Sequence, residues 1–150
     1  MTYRVQVVEV APTVIASVRR RIAWREIAAN VRPLLDVVWA FLRTGAVDVA
    51  GHNVLVYHAI SDTEVEVEAG VQVAGEFAST QDVRCSATPG GRVATTTHVG
   101  PYADLKNAYA ALIAWCDVQG ERRSAHSWEL YGDWSDDPRE LRTDLYWLLA

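Results

Sequence analysis

One carboxylate, Glu129, stands between Trp128 and Leu130 in the segment SAHSWELYGDWSDDPRELRTDLYWLL, a run otherwise rich in bulky apolar residues. A glutamate in such company can do two kinds of chemistry. It can hold a cation against aromatic faces, or, with its pKa raised by burial, it can take a proton from water as a general base. Period-two alternation puts Ser127, Glu129 and Tyr131 on one face of a strand and Trp128 and Leu130 on the other. If the Trp128 face is core, Glu129 looks into a groove or into solvent. A carboxylate taken out of water needs a partner, and the Tyr131 hydroxyl is close enough in sequence to supply one.

The chain carries six tryptophans, more than a core of this size needs, and an indole offers the large polarizable face that a flat or cationic ligand requires. Trp39, Tyr57 and Trp147 are candidate pocket walls, and Trp24, at a helix start, is a candidate entrance residue. Tyr109 and Trp115 fall on an inward helical stripe and read as core. His58 adjoins Tyr57 and is the one histidine placed at the ligand site; His52, His98 and His126 read as structural. No HExxH-like spacing is present, and neither a metal nor a cofactor is expected. Cys85 and Cys116 have no CxxC partner and read as small apolar residues. Arg19, Arg20 and Arg21 read as a solvated edge, and Asp136, Asp137 and Pro138 as a turn.

The elements that must position these residues occur twice. Ala16 aligns with Ala94, Trp24 with Tyr102, Glu26 with Asp104 and Ile27 with Leu105 at a constant offset (16 to 94, 24 to 102). Farther on, Trp39 aligns with Trp115. HNVLVYH then lies on HSWELYG, with His52 over His126, Tyr57 over Tyr131 and Leu55 over Glu129. Each copy reads as a β-branched strand (TVIASVRRRI; RVATTTHV), a helix with apolar residues at three- and four-residue spacing, then two strands. Pro33 should kink or restart the first helix, and Gly45 and Gly120 should stop the two helices. EVEVEAGVQV alternates so that one face is wet and the other dry. Further strands are expected at YRVQVVEV and DVRCSAT, each preceding its repeat. The expected fold is α+β. It comprises duplicated β-α-β-β units at about 13 to 73 and 92 to 149, related by a pseudo-twofold, in a single domain over 1 to 150. The antiparallel sheet carries helices on one side, and a ligand groove lies between the halves.

Composition narrows the partners. With 150 residues, half of them hydrophobic, the chain can bury a full core. A net charge of -5 without a basic stripe argues against direct nucleic-acid binding. No apolar run reaches membrane-spanning length and no signal-like N-terminus is present, so a cytoplasmic monomer or homodimer is expected.

HVGPYADLKNAYAALIAWCDVQG followed by SWELYGDWSDDPRELRTDLYWLL resembles the GyrI-like family, the effector-binding domain of bacterial transcription activators, and the first half fits it at lower specificity. The resemblance covers essentially the whole chain. It implies a duplicated β-α-β-β fold cupping a hydrophobic, aromatic and often cationic small molecule, with a glutamate at the strand position of Glu129. Members occur behind DNA-binding domains, as free-standing binding proteins, and in one branch as hydrolases of cyclopropane-containing DNA-alkylating compounds. This chain resembles the free-standing kind, which would bind or sequester a drug or toxin. The alternative is the hydrolase, with Glu129 as general base and Tyr131 or Tyr57 assisting.

Overall fold

The computed structural model describes residues 2–150. Its elements are β1 (Gln6–Val10), β2 (Val14–Ala23), α1 (Ile27–Leu42), β3 (Val49–Ala59), β4 (Glu64–Val73), β5 (Arg84–Ala87), β6 (Gly91–Val99), α2 (Leu105–Gln119), β7 (Arg123–Tyr131) and β8 (Arg142–Leu149). The two β-α-β-β series run from 14 to 73 and from 91 to 149. A short 3-10 turn leads into each helix, Trp24–Glu26 before α1 and Tyr102–Asp104 before α2. Helix α2 ends at Gly120, whose φ of 71° is open to glycine at little steric cost.

All eight strands form one antiparallel sheet in the order β1-β6-β8-β7-β3-β4-β2-β5. That order is a palindrome about the β7-β3 seam, as a pseudo-twofold requires. The two leader strands are exchanged: β1 pairs with β6 of the second unit and β5 with β2 of the first. The connections that carry out the exchange meet where the Thr88 N–H donates to the Thr13 carbonyl at 2.9 Å and the Thr13 N–H donates to Thr88 Oγ1 at 3.0 Å. In a flat sheet β2 and β6, five strand spacings apart, would be separated by about 24 Å. Joining their N-terminal ends in this way rolls the sheet toward closure.

Both helices lie on one face. Leu34, Val38 and Leu42 of α1 pack on Ala16, Val18, Val67, Ala69 and Val71, and Ala108, Leu112 and Cys116 of α2 pack on Ala94, Leu145 and Leu149. The opposite face holds a third cluster of Ile15, Val54, Val56, Val93 and Trp128, with Trp128 stacked on Tyr146 at 5.3 Å between ring centroids. Helix α1 runs through Pro33 without restarting. The proline is only the seventh helical residue, so the hydrogen bond it forgoes falls in the first two turns.

Strand β5 covers β2 only at Val14–Ser17, so Arg20 and Arg21 lie on an open, solvated edge as expected, with Arg21 paired to Glu64, while the half-buried Arg19 reaches Glu66 and Glu68 on β4. One reading of surface charge is corrected: the glutamate face of β4 is not wet throughout, since Glu68 is fully buried. It is partnered on every side: Ser17 Oγ donates to it at 2.5 Å, His58 Nε2 lies at 3.1 Å and Arg19 at 3.1 Å. Burial alone would raise its carboxyl, but hydrogen bonds from His58, Ser17 and Ser86 and the charge of Arg19 outweigh that and hold it at about 2.

Candidate ligand-binding site

Strand register decides where Glu129 points. In the β3-β7 pair Leu55 stands directly opposite Glu129, and Val54 and Val56 are opposite Leu130 and Trp128. Leu55 and Glu129 are also the equivalent residues of the two repeats, so the pseudo-twofold passes between them. Both side chains therefore lie on the helix-bearing face, at the midline between α1 and α2. Trp128, 4% exposed, belongs to the core of the other face, and Glu129 itself is only 5% exposed.

Three tyrosine hydroxyls converge on this carboxylate. Tyr57 of β3 donates to Oε1 at 3.1 Å, Tyr131 of β7 also donates to Oε1, and Tyr109 of α2 donates to Oε2. Among the described residues no arginine, lysine or histidine forms an ion pair with it. Burial pushes the Glu129 carboxyl above its usual range, and the bonds from Tyr109, Tyr131 and Tyr57 pull against that rise. All three phenols are held well above their usual value, by burial first and by the charge of Glu129 next. A carboxylate has about four acceptor positions. The tyrosines take three, leaving one on Oε2.

Glu129 forms one wall of a cavity of about 380 Å³ lined by Trp24, Ile27, Tyr57, Ala59, Tyr109, Ile113, Ala125, Ser127 and Trp147. A drug-sized aromatic ligand fits that volume. Each indole is pinned by its N–H, Trp24 to the Ser61 carbonyl at 3.0 Å and Trp147 to the Ser124 carbonyl at 2.8 Å. Trp24 also leans on Tyr57, and Tyr109 and Trp147 meet edge to face, so the aromatic walls brace one another. The site can exclude water, stack a flat ring and place one negative charge against it.

Of the residues singled out in the sequence, Glu129, Tyr57, Trp24 and Trp147 line this cavity, and Tyr131 reaches it through its bond to Glu129. Trp39 and His58 do not line it. Trp39 is turned to β3, where its N–H donates to Asn53 Oδ1 at 2.9 Å. His58, one residue past Tyr57, faces the opposite side of the sheet and contacts Glu68 and His126. Tyr109, read as core from its helical stripe, is a direct partner of Glu129. Its signal was the hydroxyl: a tyrosine on an inward stripe needs an acceptor, and the unassigned acceptor on the facing sheet was Glu129.

Comparison with known proteins agrees with this architecture. The model of the GyrI-like small molecule binding domain matches residues 3–150. No curated protein sequence matches. Among solved structures, the EcmrR C-terminal domain superposes with a TM-score of 0.83 at 19% identity, covering 100% of this chain and 99% of that one. In the EcmrR-DNA complex the match covers 98% of this chain but 57% of EcmrR. SAV2435 bound to tetraphenylphosphonium superposes with a TM-score of 0.71 at 9% identity, covering 100% and 94% of the two chains. A hydrolase from Listeria innocua does so at 0.63 and 12%, covering 98% and 92%.

Proposed function

This chain belongs to the GyrI-like small molecule binding domain family, and on that premise we propose that it binds hydrophobic aromatic cations in the Glu129 cavity, in a non-enzymatic binding or sequestering role. The observation that carries the reading is the charge balance of the site. A buried carboxylate solvated by three hydroxyls and, among the described residues, by no cation forms a wall of an aromatic cavity. A bulky cation supplies the missing charge, and the indoles of Trp24 and Trp147 supply apolar area and cation-π attraction. That SAV2435, with the same fold, is bound to a tetraaryl cation supports this ligand class.

The test is calorimetric titration with tetraphenylphosphonium and with triphenylphosphine oxide, a neutral triaryl probe, for wild type and Glu129→Gln. The variant keeps the shape of the side chain, removes its charge and replaces one acceptor oxygen by an amide donor, which a tyrosine hydroxyl can meet by turning to accept. The cation is expected to bind at least ~10-fold more weakly to the variant, because close, desolvated charge pairs are worth more than 1.4 kcal/mol. The neutral probe should be little affected. Equal binding of the cation by both proteins refutes the role given to Glu129.

A second reading is favoured by the raised Glu129 carboxyl and its one open acceptor position: hydrolysis of a strained, electrophilic ring such as the cyclopropane of a DNA-alkylating compound. Glu129 would take a proton from water as the water oxygen bonds to ring carbon and the ring C–C bond breaks into a conjugated carbonyl. It ranks second because the tyrosines that would serve the developing oxyanion already donate to Glu129 itself. Mass-spectrometric detection of the water adduct beyond one equivalent, abolished in Glu129→Gln, would move it to first.

A further inference from the structure

We propose that Arg123 sets the cation affinity of the site, acting through Trp147 from outside the cavity; the inference rests on the cation-binding reading above. The Arg123 guanidinium carbon lies 4.9 Å from the centroid of the Trp147 ring. Trp147 lines the cavity and Arg123 does not, so the guanidinium covers indole surface that the ligand does not use. The ring is held against the guanidinium by its N–H to the Ser124 carbonyl and by an edge-to-face contact with Tyr109, at 6.3 Å and 83°. Arg123 is only 27% exposed. Its nearest carboxylate, Asp117, is 3.7 Å away and 67% exposed, so the counter-charge is largely spread into water.

The attraction of an indole for a cation comes from the negative potential of its faces. With one face already against a guanidinium, a second cation stacked on the cavity side gains less from the ring. It also sits roughly 8 Å from a like charge across a thin layer of low polarizability. A bound cation is thus drawn inward by Glu129 and opposed from behind by Arg123. A neutral aromatic ligand feels neither charge strongly. Arg123 therefore lowers the preference of the pocket for cations over neutral rings and shortens the residence of a cation that does bind.

The experiment is calorimetric titration of the full chain, as wild type, Arg123→Met and Arg123→Lys, with tetraphenylphosphonium and with triphenylphosphine oxide. Methionine keeps an unbranched, polarizable side chain against the indole and removes the charge; lysine keeps the charge and loses the planar stack. Arg123→Met is expected to bind tetraphenylphosphonium on the order of fivefold more tightly and to leave the oxide within about twofold. Arg123→Lys should bind the cation as wild type does. Equal weakening of both probes in Arg123→Met would mean that the guanidinium merely props the ring, and unchanged binding of both would mean that it does nothing; either result overturns the proposal. Binding of neither probe by wild type overturns the functional reading and this inference together, which separates that failure from the other two.

Discussion

At the scale of single residues the decisive quantity is the protonation of Glu129. Its carboxyl is raised in the folded protein, so the proton is held more tightly there than in the unfolded chain. The sign follows: this group favours the folded state at low pH, and that contribution is lost as pH rises through its folded pKa. Cation binding runs the other way, because it needs the carboxylate. Affinity for tetraphenylphosphonium is expected to fall on acidification from a pH above the ordinary glutamate value of 4.5, while that for a neutral probe stays flat. A cation affinity independent of pH down to that value contradicts the placement of charge. Burial raises the midpoint and the tyrosines pull it back down. Tyr109→Phe removes a donor to Oε2, a hydrogen bond to a charged group worth about 1.5–3 kcal/mol. The midpoint of the cation affinity profile should move to higher pH in that variant, and a downward movement would contradict the role given to Tyr109.

At the scale of elements, β2, β3 and β4 carry a second buried carboxylate of opposite character. Glu68 is held at about 2 through its contacts on these strands and with Ser86 of β5. A depressed carboxyl contributes stability above its unfolded pKa and loses it as pH falls toward the folded value. The window here runs from about 4.5 down to about 2. The linked contribution is on the order of 3 kcal/mol. Denaturant unfolding of a Glu129→Gln background at pH 7, 5 and 3, which removes the opposing titration, should show stability falling between pH 5 and 3. Adding Glu68→Gln should flatten that fall, and an unchanged slope would place the acid lability elsewhere. Alternation along EVEVEAGVQV was legible; the burial of its third glutamate was not, because it depends on β5 and the segment before it closing over β2.

At the scale of the whole molecule, the two repeats make one site by departing from their symmetry. Trp24 on Tyr57 in the first unit corresponds to Tyr102 on Tyr131 in the second. On the axis itself symmetry breaks, with Leu55 facing Glu129. It breaks again beside β3, where the indole of Trp39 bonds to Asn53, the equivalent of the cavity-lining Ser127. Trp39 therefore ties α1 to β3 and does not line the cavity. Trp39→Phe leaves Asn53 Oδ1 short of a donor and should cost about 1–3 kcal/mol of stability in urea unfolding, with tetraphenylphosphonium affinity unchanged. Loss of affinity at retained stability would return Trp39 to the site.

The duplication, the β-α-β-β order, the opposite facing of Glu129 and Trp128 and the wealth of aromatic side chains could all be read from the chain, because periodicity and internal likeness are properties of neighbours in sequence. Strand register, the exchange of β1 and β5, the turning of His58 to the far face and the recruitment of Tyr109 to Glu129 could not. Those depend on which strand lies beside which and on how far the sheet rolls, and contacts such as Tyr57 to Glu129, 72 residues apart, leave no local pattern. Whether Glu129 met water, a cation of its own or a ring of hydroxyls was decided only when β3, β7 and α2 came together.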